Sequence, residues 1–110
     1  MKVNVGDYVT LKSIKEVKPL YKKFGVYTDA FGRIDCAFAE DEFGKDTYYS
    51  HEMLNAMESP NMYKVVGIKE DSFLLKLTLF VDDEFWFDNK CIRDVYGLTK
   101  VSSSKMEQED

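Results

Sequence analysis

Met62-Tyr-Lys-Val-Val-Gly-Ile-Lys-Glu-Asp-Ser-Phe-Leu-Leu-Lys-Leu-Thr-Leu-Phe-Val-Asp-Asp-Glu-Phe-Trp-Phe87 is the stretch that decides the fold class. Phe73, Leu75, Leu77, Leu79 and Val81 alternate with Leu74, Lys76, Thr78 and Phe80, so a two-residue period sends one apolar face inward and a mixed face outward. Before it, Met62 to Lys69 is rich in Val, Ile and Tyr, and Glu70-Asp71-Ser72 supplies a turn. After it, Asp82-Asp83-Glu84 reverses the chain into Phe85-Trp86-Phe87. Such a meander needs a partner layer over its buried face, which the rest of the chain must supply.

Outward from this centre, Val5-Gly6-Asp7-Tyr8-Val9 makes a tight entry into a strand over Tyr8 to Ile14, and Lys15 to Lys23 reads as a long basic loop broken at Lys18-Pro19. Phe24 to Glu42 reads as a hairpin turning at Phe31-Gly32, although Ala37 to Glu42 also suits a helix. Ser50 is placed to cap a short helix with Glu52 in its first turn and Met53, Leu54 and Met57 on its apolar side, ended by Ser59-Pro60-Asn61. Asp88 to Tyr96 is read as a helical turn with Cys91, Ile92 and Val95 inward, Leu98 to Val101 as an edge strand, and Ser102 to Asp110 as a frayed tail. No internal repeat is read from the sequence.

The chain has 110 residues, 45% of them hydrophobic and 15% aromatic, which suits one folded domain over 1–101 with an inserted hairpin at about 24–42 and a disordered tail at 102–110. No apolar run is long enough to span a membrane, and Met1 to Asp7 has no apolar leader, so a cytoplasmic location is expected. Cys36 and Cys91 lie far apart in sequence and read as small buried hydrophobes. The net charge of −5 is unevenly spread: residues 1–33 hold seven Lys/Arg against three Asp/Glu, a surplus of +4, so the remainder carries −9. An acidic majority surface suits a basic partner better than nucleic acid.

The single histidine, His51, can build neither a triad nor a two-histidine metal site, and the chain holds no phosphate-cradling glycine loop, nucleophile elbow or zincin motif. No enzyme activity, metal or cofactor is therefore expected. Glu40-Asp41-Glu42 and Asp82-Asp83-Glu84 are the two carboxylate clusters; they read as solvated turns or as an acidic face that imitates a nucleic-acid backbone. Trp86, flanked by Phe85 and Phe87, must point opposite to both, and the pattern leaves open which side is core. Trp86, Tyr48 and Tyr49 are the candidate aromatic contacts. Lys12, Lys15, Lys18, Tyr21, Lys22 and Lys23 form an alternative set for nucleic acid.

The order Val5-Gly6-Asp7-Tyr8-Val9, a middle helix at Glu52-Met53, Tyr63-Lys64-Val65-Val66 and a late Phe85-Trp86-Phe87 resembles the small SH3-like barrel proteins, many of them encoded by bacteriophages and prophages. The resemblance covers about residues 5–97 and departs from that pattern in a long insert at 15–50. It implies a mainly β fold, a five-stranded SH3-like barrel or strongly bent antiparallel sheet with one short helix. The leading functional reading rests instead on the −9 balance beyond residue 33, the candidate exposed aromatics and the absence of a catalytic set: a non-catalytic protein-binding module of phage or prophage origin that covers a functional surface of a host protein in the host cytoplasm, a nucleic-acid-binding protein among the candidates, as an anti-defence inhibitor would. A small RNA- or DNA-binding barrel and a structural or virion subunit that builds homo-oligomers are the other two readings.

Overall fold

The computed structural model describes residues 2–80 and 83–97. In chain order these form β1 (Tyr8–Leu11), α1 (Ile14–Val17), a 3-10 turn (Lys18–Leu20), β2 (Lys23–Thr28), β3 (Ile34–Glu40), β4 (Asp46–Tyr49) and α2 (His51–Met57). They continue with β5 (Tyr63–Lys69), a 3-10 turn (Glu70–Ser72), β6 (Leu74–Thr78), β7 (Glu84–Asp88), a 3-10 turn (Asn89–Cys91) and β8 (Ile92–Tyr96). The fold is mainly β, as the alternation predicts, with two antiparallel sheets. The chain divides into two compact units, one taking the residues up to Thr10 and from Asn61 onward, the other Leu11–Pro60.

The first unit holds a five-stranded sheet in the order β7-β6-β5-β1-β8. Its entry turn depends on Gly6 at φ 100°, a conformation that side-chain-bearing residues rarely adopt, and on the buried Asp7, whose carboxylate accepts the Asn4 N–H at 2.9 Å. The Gly6 N–H and the Val65 N–H then exchange bonds with Val65 and Asp7 carbonyls at 2.8 Å each, which registers β1 against β5. Across β5, β6 and β7, residues directly opposite share a face: Leu75 faces Phe87 and Leu77 faces both Val65 and Phe85. Val65, Leu75, Leu77 and Phe87 are buried together with Val9, Tyr63, Cys91 and Ile92.

The meander differs from its sequence reading at its ends. Phe73, expected on the inward face, closes the preceding turn in the left-handed conformation (φ 56°) and is exposed. Its N–H bonds the Glu70 carbonyl, so the turn, not the strand period, sets its direction. Leu79 is half-buried, and Val81 lies outside the described residues. The expected helical turn over Asp88 to Tyr96 shrinks to Asn89–Cys91, started by the Asp88 carboxylate on the Lys90 N–H, and Ile92–Tyr96 is a strand instead. The edge strand expected at 98–101 and the tail at 102–110 lie outside the described residues.

The second unit holds a three-stranded sheet in the order β2-β3-β4 with α2 packed against β3 and β4. The hairpin reading of 24–42 holds, with Glu40 ending β3 as strand. The loop expected at 15–23 is not one: Ser13 and Glu16 form a capping box that starts α1, and Pro19 sits at the start of the following 3-10 turn, where its missing N–H is harmless. The four-residue strand β4 was not anticipated, being short and preceded by a charged turn. Ser50 caps α2 by accepting the Met53 N–H, as its position predicts, and Met53, Leu54, Ala56 and Met57 are buried.

Candidate functional site

The three-stranded sheet has two unlike faces. On one, Ala37, Ala39 and Tyr49 are buried, and Tyr49 packs with Tyr21 and Phe24 at ring separations of 6.3 and 5.6 Å. The Tyr21 and Tyr49 hydroxyls meet at 2.6 Å. This corrects two expectations: Tyr49 is no surface contact, and Tyr21 is not free to stack on a base. Both rings are large apolar surfaces that a small sheet must use to fill its covered side.

On the other face stands a row of rings open to solvent. Gly25, Phe38 and Tyr48 are directly opposite one another across β2, β3 and β4, and Tyr27 stands two residues on from Gly25. Gly25 carries no side chain, and the ring of Tyr27 leans back over it: a Cβ there would lie 3.5 to 3.7 Å from that ring. Tyr27 therefore meets Phe38 edge-on at 5.7 Å, and Phe38 meets Tyr48 at 5.2 Å. Tyr27, Phe38 and Tyr48 are 55, 51 and 54% exposed. A contiguous exposed ladder of three aromatic side chains is far from the scattered single hydrophobes that any protein surface carries. Cys36, expected to be buried, stands half-exposed on this same face opposite Tyr27, whereas Cys91 is buried as expected.

The two loops at the ends of β3 repeat one design that the sequence reading missed. Asp29-Ala30-Phe31-Gly32-Arg33 and Asp41-Glu42-Phe43-Gly44-Lys45 share the pattern D-x-F-G followed by a cation. In each, the Asp carboxylate accepts the N–H groups two and four residues on, at 2.8 and 3.0 Å in the first and 2.9 Å twice in the second. In each, the glycine takes a positive φ, 80° and 82°. These are Asx turns, in which a short carboxylate replaces a backbone acceptor. Their product is a Phe at each loop tip: Phe31 is 82% and Phe43 is 87% exposed. The twelve-residue spacing of the two D-x-F-G strings was the available signal.

The remaining candidates fall as follows. Glu40, Asp41 and Glu42 belong to the Leu11–Pro60 unit, Asp83 and Glu84 to the other, and Asp82 lies outside the described residues. Asp41 is engaged in its loop, Glu40 approaches Lys23 at 3.8 Å and Glu84 pairs with Lys76 at 3.3 Å. Trp86 is half-buried on the face opposite Phe85 and Phe87, sharing it with Gly67 and Lys76. The Lys69 and Lys76 ammonium groups lie 4.7 and 5.4 Å from its ring centre, so its π-face is already occupied by cations. Lys12 is half-buried, while Lys15, Lys18, Lys22 and Lys23 are exposed along α1, the 3-10 turn and the start of β2. His51 contacts the Ile34 carbonyl at 3.4 Å and Asn55 at 3.1 Å on the exposed side of α2. Among the described residues, no three of His, Cys, Asp or Glu converge as metal ligands.

Compared with known proteins, the chain matches no family model, no curated protein and no solved structure. The candidate site therefore rests on geometry: a sheet face with three exposed rings, and an exposed phenylalanine at the loop beyond each end of β3.

Proposed function

We propose that this protein is a non-catalytic protein-binding module whose contact surface is the exposed aromatic face of β2, β3 and β4. The observation that carries the reading is the Tyr27–Phe38–Tyr48 ladder. The half of each ring that stays in water contributes nothing to folding, and aromatic anchors of this kind supply most of the energy of a protein interface. Phe31 and Phe43 add an anchor at each end of β3, held by loops whose geometry is fixed by side-chain-to-backbone bonds and so costs little to order on binding. The five-stranded sheet that opens on the Gly6-Asp7 turn supports reading the first unit as an SH3-like scaffold carrying the second as an insert in its first connection. With that resemblance, the partner is a host protein whose functional surface the module covers. Direct nucleic-acid binding has less behind it, because Tyr21 is buried and the exposed ladder is bordered by Glu40 and Asp46.

The test is a tagged capture from bacterial lysate with and without nuclease, run with the original chain, with a Phe38→Ala/Tyr48→Ala chain and with Trp86→Ala. A discrete protein retained after nuclease by the original and the Trp86→Ala chains, and lost from the ladder variant, is the expected result. Capture that vanishes with nuclease, or survives ladder truncation, refutes it.

A further inference from the structure

The ladder stands beside an unbalanced row of charge. One step along the same face, Lys23, Glu40 and Asp46 are directly opposite one another across β2, β3 and β4. Glu40 and Asp46 thus form a like-charge cross-strand pair, an arrangement that destabilises a sheet unless a cation intervenes. The cation of the row, Lys23, approaches Glu40 only at 3.8 Å and is itself largely in solvent. A shallow groove of about 500 Å³ runs from Tyr27 and Phe38 to Glu40 and Asp46, joining the rings to the carboxylates.

The chemistry that fits both ends is specific. A sugar ring needs a flat platform, and these rings are tilted by 74° and 54° to their neighbours. A nucleobase stacked on Phe38 would bring its phosphates against Glu40 and Asp46, which repel them. A guanidinium has apolar faces that stack on aromatic rings and an edge of fixed donors that matches carboxylates. An ammonium group is more strongly hydrated and has no face to stack.

We propose that the ladder receives an arginine side chain presented by a protein partner, stacked on Phe38 in the groove beside Tyr27 with its N–H groups donating to Asp46 and Glu40. This rests on the ladder being a protein-contact surface and names what that surface reads. The surplus carboxylate then serves as the specificity element, and the cost of the Glu40–Asp46 pair is relieved on binding.

The experiment is an amide NMR titration of the full chain with a short synthetic peptide bearing arginine at alternate positions. Its citrulline counterpart, which keeps the shape and loses the charge, and a single-stranded oligonucleotide serve as the other arms. The arginine peptide should shift the amides of Gly25, Phe38, Asp46 and Tyr48, while citrulline substitution or Asp46→Asn should each weaken binding roughly tenfold, the scale of one charge-assisted stacked contact. Equal binding of the arginine and citrulline peptides, shifts elsewhere only, no shifts, or the oligonucleotide occupying the ladder would each overturn the assignment. Concentration-dependent changes at the ladder in the chain alone would overturn it too, by giving the face to a second copy. Failure here with partner capture still lost on ladder truncation removes the arginine assignment alone; capture that survives truncation removes the protein-contact reading beneath it.

Discussion

Tyr48 and Tyr49 are the same residue type, adjacent in the same strand, and the structure puts them on opposite faces of the sheet. Tyr49 is 0% exposed and shares a hydroxyl contact of 2.6 Å with Tyr21, whereas Tyr48 is 54% exposed. Truncating a fully buried large aromatic costs about 3–5 kcal/mol, and the hydroxyl contact adds about 1 kcal/mol. For Tyr48, about half of a ring's transfer energy of roughly 1.5–3 kcal/mol is at stake, plus about 0.5–1.5 kcal/mol for the ring contact with Phe38, or about 1.3–3 kcal/mol in all. Loss of β-propensity on going to alanine is common to both and cancels in the comparison. Tyr49→Ala should therefore be less stable than Tyr48→Ala by about 3 kcal/mol, and by no less than about 1 kcal/mol. With a urea dependence of about 1–3 kcal/mol per molar for a small protein, a difference of about 3 kcal/mol puts the two midpoints about 1–3 M apart. Far-UV circular dichroism in a urea series measures this directly. Equal midpoints, or a lower midpoint for Tyr48→Ala, would mean that the ladder is part of the folding core and would refute its reading as a surface kept for contact.

Three further outcomes are expected. Gly67→Ala places a methyl group 3.2 Å from Lys76 Cβ and 3.4 Å from the Trp86 ring, so it should displace the indole. A changed Trp86 emission spectrum and a loss of about 1 kcal/mol are predicted, and an unchanged spectrum would count against the packing described. Phe73→Gly should raise stability by up to about 1 kcal/mol, because Phe73 holds a left-handed φ of 56° with its ring exposed; thermal melting that moves downward would contradict this. Ser13→Ala removes one half of the capping box on α1 and should cost about 1 kcal/mol, with the effect read from urea midpoints; no loss would place the start of α1 under tertiary control instead.

Wherever a local rule dominates, this sequence is legible by itself. The two-residue period of Leu75 and Leu77 against Phe85 and Phe87 specified paired strands, because alternation is fixed by backbone geometry. Ser50 announced α2, and Ser13 with Glu16 announced α1, although Pro19 close by made that stretch read as a loop. The D-x-F-G strings were equally local and equally present, a turn chemistry that repeats because the same carboxylate satisfies the same N–H groups. What no local rule could decide was which side of β3 and β4 would be covered. Both sides carry aromatics, so the period separates Tyr48 from Tyr49 without saying which is inside. The tertiary structure decided it through volume: Ala37 and Ala39 leave that side of β3 low enough for α2 to pack, and Tyr49 and Tyr21 fill the space beside them. Phe38, between those two alanines in the chain, is thereby turned to the solvent with Tyr27 and Tyr48, and the candidate site is the face that the helix does not cover.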